Sequence, residues 1–460
     1  MTLIKSISGI RGTIGGKVGD SLSPLDIVRF ASAYASFIKN KTNDSNTIII
    51  GRDARQSGEM VSNLICGALI GSGFNVLDVG LTTTPTVALA VSLEKSAGGI
   101  IITASHNNKE WNALKLLNNK GEFLSQRDGE NVLSLAKDEN FIFSEVDSIG
   151  KYSFDDSFNY KHINEILKLD LVDINLVKSA SFKIVVDAVN SSGGFMIPLL
   201  LERMGVECIK LYCDPSGDFP HDPEPLPQNL SEISQKVIDE KAHLGIVVDP
   251  DVDRLAFICE DGSMFGEEYT LVSISDYVLS KTPGNTVSNL SSTRALSDVT
   301  IKHQGSYEAS AVGEVNVVEK MKATNAIIGG EGNGGVIYPA LHYGRDALVG
   351  VALFLTQLAE RKISVKSLRE SYPNYFISKN KIKLTSEINI NKIFSSLELK
   401  YSNEKITTTD GLKIDFDNGW VHLRKSNTEP IIRVYAESDT LNNSNYFAKR
   451  MIDEIDTICK

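Results

Sequence analysis

The sequence predicts an α/β protein: three similar mixed α/β domains plus a smaller α+β C-terminal domain. Three observations predict it. At 460 residues the chain is too long for one core, since a domain takes roughly 150 residues. A β-rich run leading into a helical pattern occurs three times, in NTIIIGRDAR, FKIVVDAVNSSGG and GNTVSNLSSTRAL. From about Pro373 that rhythm stops, and short strands with one last helix take over.

Taken in order, each of the three helical patterns stops at a glycine, Gly73, Gly205 and Gly305. Glycine suits a helix end because it adopts positive φ cheaply. A second short strand follows in FNVLDVG, VECIKLYC and SYEASAVGE. A third apolar run then ends in small or acidic residues, in GIIITASHN, LGIVVDPDVD and AIIGGEGNGG. Strand, helix, strand, helix, strand is the rhythm of a parallel α/β layer. The expected domains are residues 1–150, 151–256 and 257–370. Residues 371–460 form the tail, with strands in KIKL, GLKIDF, WVHLRK and IIRVYAE and a helix from about Asn443 to Cys459. The Asp/Ser/Phe-rich stretch at 140–160 reads as a linker.

Composition is that of a soluble globular protein, and a net charge of −11 argues against a nucleic-acid partner. The first residues are too short and polar for a signal peptide. No run approaches the roughly 20 apolar residues of a membrane span. Five scattered cysteines without C-x-x-C spacing read as buried thiols of a reducing compartment, so the expected location is the cytoplasm.

In open α/β sheets ligands gather beyond the carboxyl ends of the strands, and all three unusual endings fall there. IVVDPDVDRL places Asp249, Asp251 and Asp253 two residues apart. On an extended strand the outer pair would lie ~13 Å apart, so only a turn after Asp249, helped by the fixed φ of Pro250, brings them together. Two carboxylates ~4 Å apart repel by about 4 kcal/mol at an effective dielectric near 20. Three converging ones need a cation, and an all-oxygen set with few protein ligands fits Mg²⁺. A solvated acidic turn is the bland alternative. A calcium EF-hand is disfavoured because Arg254 stands at its sixth position, where glycine makes the turn, and because both flanks read as strands.

In TASHNN, Ser105 beside His106 is either a Ser/Asn turn closing a strand or a hydroxyl presented for chemistry. A phosphoryl group on Ser105 would complete the coordination of a cation held by the aspartates. Lys115, ten residues on, could move a proton or neutralise charge there. Arg11 lies between two glycines that let backbone approach an anion. GGEGNGG offers only Glu331 and Asn333, both suited to hydroxyls or an amine. RKSNTEPIIR gathers Arg424, Lys425, Ser426, Asn427, Thr428 and Arg433 into a candidate anion loop.

Together, TASHN, DPDVDR, GGEGNGG and RKSNTEPIIR, in that order along nearly the whole chain, resemble the α-D-phosphohexomutase family, which includes phosphoglucomutase, phosphomannomutase and phosphoglucosamine mutase. The resemblance implies four domains around a central cleft and interconversion of hexose 6- and 1-phosphates through a sugar 1,6-bisphosphate. It implies Ser105 as phosphoserine and metal ligand, with Asp249, Asp251 and Asp253 as the other Mg²⁺ ligands. Lys115 and Arg11 would lie near the transferring phosphoryl group and Arg254 in the cleft beside the metal loop, with His106 counted among the candidate catalytic residues. Glu331 and Asn333 would bind sugar, and Arg424, Ser426, Asn427, Thr428 and Arg433 the phosphate not being transferred. Asn108 stands where the family pattern usually has proline, and Asn333 where it often has serine. The set SGIRG, AVGEVNV and GGEGNGG is nearest to members acting on glucosamine phosphate, with phosphomannomutase/phosphoglucomutase as alternative. A Mg²⁺-dependent sugar phosphatase is the rival reaction class. The expected partner is a phosphosugar, and the expected assembly a monomer or homodimer.

Overall fold

The computed structural model describes residues 2–6, 9–41, 45–384, 389–426 and 431–459. Three of its sheets share one pattern. The first strand of each (Thr47–Arg52, Lys183–Asp187, Asn285–Asn289) is central. It pairs in parallel with a second strand (Asn75–Leu81, Glu207–Leu211, Tyr307–Ser310) and with a third (Gly98–Ile102, Leu244–Val248, Ala326–Glu331). The layers are not purely parallel, as the strand–helix rhythm alone predicted. In each, a fourth strand (Trp111–Leu117, Leu255–Cys259, Gly335–Ile337) folds back antiparallel on the third. The unusual residues therefore sit on the link between third and fourth strands.

Three sequence expectations need correction. A domain boundary at 256 falls inside the strand Leu255–Cys259, which completes the second sheet. The stretch 140–160 is no mere linker, since Tyr152–Phe154 forms the last strand of the first sheet. Of the cysteines only Cys66 and Cys259 are buried, and Cys459 is exposed. No helix among the described residues is long and apolar enough to cross a membrane.

The second and third units share one large hydrophobic core, beside a smaller cluster of its own in each. Its centre is the helix Ala347–Arg361, with every residue from Ala347 to Ala359 buried. A helix apolar all round must be enclosed on all sides, and here Phe354 stacks on Phe257 at 3.8 Å between ring centroids. The C-terminal unit is an antiparallel sheet in the order Phe376–Lys383, Ile431–Ser438, Gly419–Lys425, Leu412–Phe416, Lys405–Thr407. It packs on its helix Leu441–Cys459 through Ala448, Met451 and Ile455.

One buried polar cluster pins the first three units together. Asp346 caps the central helix, accepting from Leu348 N at 2.8 Å and Val349 N at 3.3 Å. Its Oδ2 also meets Nε2 of His162 at 2.9 Å and of His342 at 3.2 Å, while His162 Nδ1 meets Thr86 Oγ1 at 2.9 Å. Burial opposes ionisation of Asp346, but the two imidazoles hold its carboxyl below the usual range. Asp346→Ala removes the cap and strands both imidazoles, at an expected cost of about 3 kcal/mol. Thermal unfolding of the variant checks this as a melting temperature lowered by several degrees.

Candidate active site

The tips of the first and second units meet. The turn predicted after Asp249 forms, with Val252 N donating to Asp249 O at 3.0 Å and Val252 at φ +63°. It gathers the ligand oxygens of Asp249, Asp251 and Asp253 within 4.8 Å of one another, all buried. Ser191 and Ser192, closing the first strand of the same unit, both donate to Pro250 O at 2.7 and 2.8 Å. Ser105 is left-handed at φ +49°, which turns its hydroxyl out of the strand direction, and Oγ donates to Asp249 Oδ2 at 2.7 Å.

The antiparallel return of Trp111–Leu117 explains Lys115. Its register sets Lys115 opposite Ile101, beneath the serine tip, and Nζ lies 2.6 Å from Asp251 Oδ2 and 3.2 Å from Asp253 Oδ2. Burial works against its charge, but the two carboxylates outweigh this and hold it protonated. Arg11 reaches the site from the adjoining strand Gly9–Thr13 and donates to Asn107 Oδ1 at 3.4 Å. Arg254 pairs with Glu224 at 3.2 Å. Burial, then Arg254 and Arg11, depress His106 well below the ordinary imidazole value. His106 is therefore neutral near pH 7, and its Nδ1 lies 3.4 Å from Ser105 Oγ.

The carboxylate trio fits a cation. Oδ1 of Asp251 and of Asp253 are buried without a hydrogen-bond partner, a costly state for anionic oxygens. Burial and the two neighbouring carboxylates push Asp249 well up, whereas Lys115 and hydrogen bonds overcome burial to pull Asp251 down. An all-oxygen set with free lone pairs suits a hard divalent ion.

Two side chains that the sequence reading passed over organise this centre. Arg55 is fully buried beside Asp53 (Nε to Oδ2 3.1 Å) and donates to the carbonyls of Ser105, Asn107, Asn108 and Trp111 at 2.5–3.0 Å. Asp53 accepts in turn from Thr103 Oγ1 at 2.6 Å, and that oxygen accepts from Ser105 N at 2.9 Å. Arg345, just before the central helix, bridges Asp253 at 2.7 Å, Glu314 at 2.8 Å and Glu331 at 3.3 Å. The RDAR of the first strand's end was a usable signal for Arg55, since charged residues closing a buried strand need partners. Nothing local marked Arg345.

The glycine loop joins the second unit directly. Leu255 N donates to Gly334 O at 3.1 Å, and a Cβ on Gly334, at φ +85°, would lie 2.3 Å from Leu255 O. Glu331 accepts from Asn289 Nδ2 and Gly313 N, both at 3.0 Å. Asn333 turns its Oδ1 onto Gly335 N at 3.3 Å, which braces the loop. Behind Gly332 lies Glu268, whose carboxyl burial pushes up to about 8. The native state thus keeps a proton that the unfolded chain releases near 4.5, so stability falls as pH rises between those values. Glu268→Gln is expected to remove that slope, its melting temperature gaining on the parent's as pH approaches 8.

In the C-terminal sheet Arg424 and Arg433 stand directly opposite each other, a repulsive pair that an anion between them would relieve. Arg424 also pairs with Asp410 at 3.2 Å, and Arg433 donates to Tyr435 Oη at 3.1 Å. Ser426 N donates to Ile431 O at 3.0 Å. Asn427 and Thr428 lie outside the described residues. At the serine the tertiary structure gathers the Asp trio, Lys115, Arg11, His106, Arg254 and, through Arg345, the glycine loop.

Models of the phosphoglucomutase/phosphomannomutase family match the chain in sequence: α/β/α domain I at residues 3–142, domain II at 160–262, domain III at 266–375 and the C-terminal domain at 381–454. The chain belongs to this family. As a phosphohexomutase-family member it is an isomerase of the mutase type. A phosphoglucomutase/phosphomannomutase of Thermococcus kodakarensis is 32% identical over 93% of this chain and 94% of its own. A probable phosphoglucosamine mutase of Methanosphaera stadtmanae is 32% identical over 97% and 98%. The crystal structure of a phosphoglucomutase/phosphomannomutase family protein from Burkholderia thailandensis superposes with a TM-score of 0.85 at 25% identity, covering 100% of this chain and 97% of that one.

Proposed function

We propose that this phosphohexomutase is a cytoplasmic, Mg²⁺-dependent phosphoglucosamine mutase that interconverts glucosamine 6-phosphate and glucosamine 1-phosphate, with Ser105 as the phosphoryl carrier. The observation that carries the reading is the 2.7 Å contact of Ser105 Oγ with a buried carboxylate trio that has two oxygens to spare. For the substrate, support comes from relatives named as probable phosphoglucosamine mutases and from Glu331, an ordered carboxylate able to meet an ammonium group. The Thermococcus kodakarensis relative favours a second reading, phosphoglucomutase/phosphomannomutase.

In the forward half-reaction the bond between phosphorus and Ser105 Oγ breaks as a bond to the sugar hydroxyl oxygen forms. The hydroxyl's proton ends on Oγ, which then donates to Asp249. The bisphosphorylated sugar turns over, and its other phosphoryl group returns to Oγ. Lys115, Arg11 and Arg254 offset the charge of the transferring group. Asp249, Asp251 and Asp253, with the group on Ser105, would hold Mg²⁺, which when bound supplies Lewis-acid stabilisation. Arg424, Ser426, Asn427, Thr428 and Arg433 are proposed to grip the idle phosphate, and Glu331 with Asn333 the ring.

The test is an assay with glucosamine 6-phosphate, mannose 1-phosphate and glucose 1-phosphate, each primed by the matching bisphosphate. Preference for the amino sugar is expected, and preference for mannose or glucose overturns the substrate assignment. Inorganic phosphate released as fast as isomer would overturn the mutase mechanism, because a mutase must shield its intermediate from water.

A further inference from the structure

The turn between strands Lys405–Thr407 and Leu412–Phe416 runs Thr-Thr-Asp-Gly. An aspartate in such a turn ordinarily folds its carboxylate back onto its own backbone. Asp410 instead reaches out. Its Oδ2 accepts from Val312 N at 2.9 Å, 98 positions away in the third unit, and lies 3.2 Å from Nε of Arg424. One carboxylate oxygen therefore joins the third unit to the anion loop of the C-terminal unit. Gly411, at φ +79°, makes this possible. It leaves no room for a Cβ against Leu423 O, so the turn lies close on the strand that carries Arg424.

The backbone of Asp410 is held to the same unit. Its carbonyl oxygen lies 2.7 Å from His422 Nε2, and His422 Nδ1 lies 2.9 Å from Ser291 Oγ. Burial pushes the imidazole down to about 4, so it carries a single N–H near pH 7. A carbonyl only accepts, which puts that N–H on Nε2 and makes Ser291 the donor to Nδ1. Carboxylate and carbonyl of Asp410 are thus both tied to the third unit, the first directly and the second through His422.

The residue after Val312 gives this contact its meaning. Gly313 N donates to Glu331 Oε1 at 3.0 Å, Glu331 Oε2 lies 3.3 Å from Arg345, and Arg345 reaches Asp253 at 2.7 Å. Two adjacent amides thus hold the aspartate beside Arg424 and the glutamate of the glycine loop, and one residue of chain spans at most ~3.6 Å. A hexose phosphate must present its reacting hydroxyl at Ser105 while its idle phosphate sits at the anion loop, so the span between these sites decides alignment. We propose that Asp410 is a positioning residue that, through Val312 N, sets Arg424 at the distance from the glycine loop that aligns the sugar hydroxyl with Ser105. This rests on the phosphate-gripping role proposed for Arg424 above.

Kinetics on the full chain use whichever hexose monophosphate it turns over fastest, so the sugar's identity does not enter. Asp410→Ala is expected to lower kcat/KM on the order of 10²-fold, with KM raised and the melting temperature within a few degrees of the parent's. Asp410→Asn keeps an oxygen for Val312 N but loses the charge beside Arg424, and should recover part of the loss. Arg424→Ala should cost at least as much as Asp410→Ala. Adding Asp410→Ala to it should cost no more than about threefold further, because the two residues act as a unit. If both Asp410 variants match the parent, or if the losses of the double variant multiply, the inference is overturned while the role of Arg424 stands. If Arg424→Ala matches the parent, that role falls and the inference with it. Should Asp410→Ala melt well below the parent, Asp410→Asn, alone and with Arg424→Ala, decides in its place by the same criteria.

Discussion

Ser105→Ala is expected to lower turnover on the order of 10⁴-fold or more while leaving the fold intact. Ser105 makes side-chain hydrogen bonds with Asp249 and His106 and backbone bonds with Thr103 and Arg55, and only the side-chain ones are lost. The Ser105 hydroxyl reaches the carboxylate trio directly, whereas Lys115 beside it is held protonated and so is no nucleophile. Two measurements separate chemistry from folding. Incubation with a sugar bisphosphate should add one phosphoryl group to the parent chain by intact mass and none to the variant. The melting temperatures should agree within a few degrees. A variant that keeps a tenth of the parent's activity would exclude Ser105 as carrier.

Arg55→Met is expected to cost about 3–5 kcal/mol of stability and to suppress activity as well. The guanidinium is the one cation paired with buried Asp53 among the described residues, and it satisfies four carbonyls of the serine loop. Burial pushes the Asp53 carboxyl up even with Arg55 in place. Without the guanidinium Asp53 would take up a proton, and the loop would lose the hub that holds Ser105 in its left-handed conformation. Arg55→Lys distinguishes charge from geometry. A lysine keeps the charge but cannot span four carbonyls with a rigid fork. It should recover part of the stability and little of the turnover. Chemical denaturation and steady-state kinetics on the three proteins check both parts, and full activity in Arg55→Lys would show that the fork is unimportant.

The chemistry-bearing residues were legible because their types are unusual where they stand. Three aspartates after a buried strand, or Ser-His-Asn-Asn after three isoleucines, break the apolar pattern that the strand needs. The threefold repeat was legible because strand and helix periodicity are local. Strand order was less so. The fourth strand of each sheet, including WNALKLL, offers the same apolar residues as a helix would, and only pairing with the third strand decides it. The fusion of the second and third cores was hidden for a similar reason: ALVGVALFLTQLA reads as a buried helix but does not say whose core it fills.

By itself the sequence determined the units, the turn at Asp249–Pro250, and which side chains are chemically costly to bury. Those depend on neighbours a few residues away and on the solvation of each group. The tertiary structure alone decided that Ser105 meets Asp249 across 144 positions of chain, that Arg55 knits the serine loop, and that Arg345 ties the aspartate loop to the glycine loop. Each of those contacts requires two strand ends from distant segments to be held at a fixed offset. That offset is set by sheet pairing and shared core packing, which no local stretch of sequence encodes.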